Sequence, residues 1–205
     1  HPPDGGLAAM SGGPGTAAPP AIQYDYATIV YTTTNGAQAF LDYEDWYGLD
    51  DEPSDIQWAT DGETQYVYVT GRVTMPGGFD YGTVQYRSSG GGWSTAWRNA
   101  YGPVSGRPDM AVNIAIAGTD AYVTGLSTPV TVGNWDYLTI KYVSSPTPPT
   151  YLPTWAIIFP GMGGHNAAAA ICTGNQSPKP SVYVTGTSFQ TGWGQDFVTL
   201  RYKQN

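Results

Sequence analysis

Along most of the chain apolar and polar residues alternate, and one alternating stretch recurs four times. It reads Asp25-Tyr26-Ala27-Thr28-Ile29-Val30-Tyr31, Asp80-Tyr81-Gly82-Thr83-Val84-Gln85-Tyr86, Asp136-Tyr137-Leu138-Thr139-Ile140-Lys141-Tyr142 and Asp196-Phe197-Val198-Thr199-Leu200-Arg201-Tyr202. The shared pattern is Asp-aromatic-x-Thr-apolar-x-Tyr. Its aspartates are 55, 56 and 60 residues apart. A fixed period of that size marks a repeat architecture. Alternation with β-branched and aromatic residues predicts strands.

Four strands, A to D, fill a complete unit, with the recurring stretch as C. Residues 55–60, 66–71, 79–86 and 93–101 make the first such unit. Residues 109–117, 121–125, 135–142 and 154–159 make the second. Before them stand a C strand over 22–34 and a D strand over 37–47, joined at Asn35-Gly36, a strong hairpin signal. After them come 166–173, 181–186 and 195–202, an A-B-C unit without D. Thirteen strands and no helix result, in units of about 22–48, 54–102, 108–160 and 165–205. Trp97 and Tyr101 align with Trp155 and Phe159, and with Tyr43 and Tyr47. The A strands are small and apolar, which suits strands crowded near an axis. The expected fold is all-β, a propeller-type repeat of four-stranded antiparallel blades, about three to four of them, the terminal ones incomplete.

The Tyr-Val-Thr-Gly strand, the Asp-Tyr-x-Thr-x-x-Tyr strand and the Trp-x-x-x-Tyr-Gly-Pro strand together resemble the SBBP family of β-propeller repeats. Residues 101–125 carry the likeness best, and it spans about 22–205. The resemblance implies a secreted or surface protein and a scaffold rather than a reaction. The chain departs from the family pattern in having too few strands for seven blades.

Composition narrows the partners. Sixteen acidic residues against eight basic ones give a formal charge of −8. Phosphate binding needs basic clusters, so nucleic acid is not an expected partner, and no apolar run is long enough to span a bilayer. Only 12% of residues are charged, and the chain begins at His1. Both fit a removed secretory signal and an extracellular or cell-surface location. Cys172 is the sole cysteine and reads as a small buried hydrophobe.

Residues 1–21 form a Pro/Gly-rich tail whose run Leu7-Ala8-Ala9-Met10 is short and apolar. It packs along its own domain or adds as a strand to a neighbouring copy. The last strand, Asp196 to Tyr202, lacks a D strand and is an open edge. A tail that gives and an edge that receives make a heterologous contact, hence a filament of copies.

Little here reads as an enzyme. Equal spacing puts Asp25, Asp80, Asp136 and Asp196 at equivalent corners of different units, where they are expected to cap turns or bind backbone N–H groups. Asp50, Asp51, Glu52 and Asp55 offer oxygens of the kind Ca²⁺ takes, without EF-hand spacing; a solvated loop is the expectation, calcium the alternative, and no other cofactor is implied. Two histidines leave little for acid–base chemistry. Trp46, Trp93, Trp135 and Trp193 suit carbohydrate or protein binding if they converge, and interface packing if they do not.

Overall fold

The computed structural model describes residues 5–7, 23–128, 134–144, 153–174 and 180–203. Among these are fourteen strands and no helix. The first sheet holds β1 (Gly5–Leu7), β2 (Tyr26–Tyr31) and β3 (Gln38–Glu44). The second holds β4 (Glu52–Thr60), β5 (Gln65–Met75), β6 (Gly78–Ser89) and β7 (Gly92–Tyr101). The third holds β8 (Asp109–Ala117), β9 (Asp120–Ser127), β10 (Asp136–Tyr142) and β11 (Trp155–Phe159). The fourth holds β12 (Ala167–Gly174), β13 (Ser181–Gln190) and β14 (Gly194–Lys203). All four are antiparallel, and their strands are neighbours in chain order.

The thirteen strands read from the sequence are all present. The addition is β1, which pairs with β2, Gly5 opposite Val30 and Leu7 opposite Thr28. The tail thus fills the strand-B place of its own sheet. Leu7 is in that pairing, while Ala8, Ala9 and Met10 lie outside the described residues. One alignment is corrected. Val30 opposes Phe40 where Gln85 opposes Trp97, so Phe40 and not Tyr43 is the counterpart of Trp97. Glu44, opposite Tyr26, stands where Tyr101 stands opposite Tyr81.

Each fixed residue of the motif has a contact of its own. Its threonine meets the threonine of Tyr-Val-Thr-Gly across strands B and C: Thr70 with Thr83 at 3.1 Å, Thr124 with Thr139 at 3.2 Å, Thr185 with Thr199 at 3.0 Å. Cross-strand hydroxyl pairs of this kind stabilise a sheet and fix its register. In sheets 2, 3 and 4 strand A carries a bulge at one equivalent place, between Pro53 and Asp55, Ala111 and Asn113, and Ala168 and Ala170. A bulge re-aims the side chain beside it. Here Asp55 Oδ2 accepts from Ile114 N of the next sheet at 2.9 Å, and Asn113 Oδ1 from Ile171 N at 3.2 Å.

The apolar core is split into three, one between each pair of consecutive sheets. Tyr26 and Trp46 pack with Val69, Val73, Val84 and Tyr86 between sheets 1 and 2. Tyr68, Tyr81 and Trp97 pack with Ile114, Val123, Leu138 and Tyr142 between sheets 2 and 3. Tyr122 and Tyr137 pack with Ile171, Val182 and Val184 between sheets 3 and 4. Alternation makes this possible: within one C strand, Tyr81 and Thr83 face the next sheet while Val84 and Tyr86 face the previous one.

The aromatic that follows the motif's aspartate enters the next sheet above the glycine of its Tyr-Val-Thr-Gly strand. A Cβ on Gly71 would lie 2.7 Å from Tyr26 Oη, on Gly125 2.9 Å from Tyr81 Oη, and on Gly186 2.8 Å from Tyr137 Oη. On the other side each would overlap a strand-A carbonyl, of Glu52, Met110 or Ala167. Only glycine fits between ring and carbonyl. Tyr81 Oη donates to Leu138 O at 3.0 Å.

Gly125→Ala is therefore expected to lose about 1–3 kcal/mol of stability through overpacking, measured by urea unfolding. Gly92→Ala, where a Cβ would meet nothing within 4 Å, should change stability by less than about 0.5 kcal/mol. Equal effects would remove the steric account.

Candidate functional site

Two features outside the three cores set this molecule apart, a series of acidic corners and an unfinished last sheet.

The corners lie where one sheet hands over to the next. The motif aspartate of one sheet faces the residue opening the next unit: Asp25 with Asp51, Asp80 with Asp109, Asp136 with Asn166. Capping, expected of the motif aspartates, is done by these second residues. Asp51 accepts from Trp46 N and Thr74 N, both at 2.8 Å. Asp109 accepts from Thr128 N at 3.3 Å. Asn166 Oδ1 accepts from Ser188 Oγ at 2.7 Å and Phe189 N at 3.1 Å, and its Nδ2 donates to Asp136 Oδ1 at 3.1 Å.

The amide at the third corner supplies the donor that two carboxylates lack. At the first two corners Asp25 Oδ1 and Asp109 Oδ2 are buried without a well-formed hydrogen bond, although the Ser127 hydroxyl beside Asp109 tempers its rise. Burial pushes Asp51 up to about 6 against its two backbone donors, and the charges of Asp25 and Asp45 add to the rise. Burial also pushes Asp109 up to about 6, with Asp80 adding to it. Asp25, Asp80 and Asp136 are raised as well, desolvation first.

The first corner holds a third acid. Tyr47 and Gly48 both take left-handed backbone, φ 62° and 64°, and the turn they make brings Asp45 in. One oxygen each of Asp25, Asp45 and Asp51 lies within 4.8 Å of the others. Among the described residues this is the one group of three such side chains close enough to hold a metal ion. It differs from the acidic loop expected to be solvated. Asp51 is buried. Asp50 accepts from Tyr24 N at 3.1 Å, Glu52 pairs with Arg72 at 2.6 Å, and Asp55 reaches into the next sheet.

The last sheet uses half of its motif. Thr199 bonds Thr185, and Tyr202 turns back toward sheet 3 beside Thr139 at 3.5 Å. Val198, Leu200 and Tyr202 alternate inward and are half-buried. The other half faces outward: Asp196 is exposed, and Phe197, the counterpart of Tyr26, Tyr81 and Tyr137, is 82% exposed. Cys172, expected to be buried, is exposed on this face. The edge is free as well. Among the described residues β14 pairs with β13 alone, whereas β6 and β10 have neighbours on both sides. Beside that edge is a groove of about 810 Å³, lined by Trp155 and Ile157 of β11, by Arg201, Tyr202 and Lys203 of β14, and by Lys141.

The four candidate ligand tryptophans do not converge. Trp46 is buried edge-on against Tyr26 at 5.2 Å, and Trp93 packs against the same core. Trp135 is half-buried ahead of β10, and Trp193 is exposed in the β13–β14 turn. Trp155, which no sequence pattern marked as a ligand, is the tryptophan that lines the groove.

No protein-family model, curated protein or solved structure matches this chain.

The corners predict a pH dependence. Folding raises Asp51 and Asp109 to about 6 from an unfolded value near ~3.9, so the folded state binds more protons between those limits. The stabilising protonation is complete near about pH 4 and lost as pH rises through about 6. Urea resistance should be greater at about pH 5 than at about pH 7.5. Asp109→Asn, which copies the third corner, should gain about 1–3 kcal/mol at the higher pH and little at about pH 4.5, flattening the profile. A variant with an unchanged pH profile would show that this corner does not titrate.

Proposed function

We propose that this chain is a non-enzymatic, extracellular structural module. Its sheets act as the blades of a propeller-type repeat, and copies join head to tail into a surface assembly or filament. One observation carries the reading. Sheet 4 bears the whole motif, yet its aspartate and aromatic face solvent while the equivalent residues of sheets 1 to 3 are spent on a following sheet. A free strand edge and a free apolar face on one sheet form a template for another chain. At the other end the tail strand β1 pairs with β2 of its own sheet and forms its edge among the described residues. The secreted setting rests on composition and on the resemblance to SBBP repeats.

A second reading is a carbohydrate- or protein-binding module, and the groove favours it. Trp155 and Tyr202 lie 5.8 Å apart, ring to ring, beside Arg201 and Lys203. Aromatic faces with flanking donors suit sugars.

Light scattering with negative-stain microscopy separates the two. Structural assembly is expected to give a mass that grows with concentration and particles in linear series. A chain that stays monomeric at every concentration, yet is retained on a glycan array, would replace the first reading by the second.

A further inference from the structure

We propose that the groove between sheets 3 and 4 binds carboxylated saccharides, sugars of the uronic acid class. This goes beyond assembly. It rests on the second reading, in which the groove is a binding site, and names the chemistry of its ligand.

One position of the repeat motif shows where positive charge gathers. The residue before the motif's last tyrosine is Val30 in sheet 1, Gln85 in sheet 2, Lys141 in sheet 3 and Arg201 in sheet 4. Gln85 is buried and donates from Nε2 to Tyr68 Oη at 2.6 Å. The two cations instead line the groove, and Lys203 joins them two residues after Arg201. Three of the chain's eight basic residues thus meet in one groove. Asp120 is the single acid among its described lining, in a chain of formal charge −8. A local excess of positive charge on an acidic molecule selects an anionic ligand.

The rings of the groove are a pair that is sealed elsewhere in the repeat. Trp97 and Tyr142 lie 5.0 Å apart between sheets 2 and 3 and are 4% and 2% exposed. Their counterparts Trp155 and Tyr202 lie 5.8 Å apart and are both half-buried. A half-open ring pair offers apolar surface to the C–H face of a sugar. The volume of about 810 Å³ falls within the roughly 300–1,000 Å³ of ligand sites.

The polar groups divide by task. Lys141 and Asp120 form an ion pair at 2.8 Å, which presents N–H donors and a carboxylate acceptor to hydroxyl groups. Arg201 donates to Ser181 Oγ from Nε at 3.0 Å and from Nη2 at 2.8 Å, which orients its guanidinium. With Lys203, exposed at the end of β14, it supplies the charge for a carboxylate. A sugar hydroxyl can donate to Asp120. A run of carboxylates, as in an acidic peptide, would meet like charge there.

The outward face of sheet 4 is the other open surface, and it is poorer in such groups. Asp55 and Asn113 accept an N–H from strand A of the following sheet, and the register puts Ala170 in their place. The tyrosine hydroxyl is gone too, since Phe197 stands in its position. The groove, with its rings and charges together, is the surface built for a polar ligand.

Isothermal titration calorimetry of the full chain with a trimer of galacturonic acid, at about 50 mM salt, is the test. The fully methyl-esterified trimer keeps the rings and loses the charge. It should bind at least roughly tenfold more weakly than the acid. Arg201→Gln combined with Lys203→Gln should remove that difference, and salt raised to about 500 mM should shrink it several-fold. Trp155→Ala should weaken both trimers, whereas Trp193→Ala, in the turn at the other end of β14, should weaken neither. Lys203→Glu, at an exposed position, carries the test should the other groove variants fail to fold, and it should weaken the acid trimer alone. Equal binding of acid and ester overturns the inference and leaves a neutral-sugar reading of the groove standing. Binding of poly-glutamate as tight as that of the acid trimer, and unchanged in Trp155→Ala, overturns it in favour of an acidic peptide. A wild type that binds neither trimer at millimolar concentration ends both the inference and the sugar reading on which it rests.

Discussion

A tyrosine laid over a glycine is the contact on which the structure depends. Tyr26, Tyr81 and Tyr137 each cross from their own sheet to the next and stop against a strand where a side chain is excluded. The ring buries a large apolar surface, and its hydroxyl reaches a place where backbone is close enough to touch. The glycine must also admit a strand-A carbonyl at the bulge. Three constraints therefore meet at one residue: the aromatic of one sheet, the bulge of the next and the glycine between them. This explains why the motif aromatic and the Tyr-Val-Thr-Gly strand recur together, although they sit in different strands.

A molecule built from such contacts is close to one-dimensional. Each core lies between two consecutive sheets, so stability is a sum of sheets and neighbour interfaces rather than the property of one interior. The polar corners fit this picture. The acid pairs at the first two corners work against folding at neutral pH, and the third avoids the conflict with an amide. A repeat can carry a strained corner where the adjacent apolar interface more than offsets it.

Much of this was legible in the sequence because the repeat shows the same residues in the same order. Strand order, the Asn35-Gly36 hairpin and the open last strand follow from alternation and turn chemistry. The role of each motif residue did not follow, since the Thr70–Thr83 pair and the ring of Tyr81 over Gly125 join positions that no local rule connects. The first unit was misaligned by three residues because Phe40, Tyr43 and Tyr47 are all aromatics at plausible spacing, and the deciding facts are the register of β2 with β3 and the left-handed turn at Tyr47. In the sequence the densest acids are one contiguous run, Asp50 to Asp55, and the cluster is not that run. Its members come from three places, and only the fold brings Asp25 to Asp45 and Asp51. Strand β1 was hidden by a Gly-rich composition that argues against a strand.

Directionality is the last consequence of the contact. Because a sheet of this repeat has one face that inserts an aromatic and one that receives it, a stack of sheets has unlike ends whatever its length. Within the chain this gives the order from sheet 1 to sheet 4. At the ends it leaves sheet 1 with Tyr31 and Tyr43 exposed and sheet 4 with a face on which Phe197 stands free. Closure would need these two to meet within one molecule, and the exposure of Phe197 shows that in this structure they do not. The replacement of Asp or Asn by Ala170 and of Tyr by Phe197 matters for the same reason. These changes remove the groups that would need a partner of the internal kind, and they leave a surface that can stand in water or meet a different sheet without an unanswered hydrogen bond.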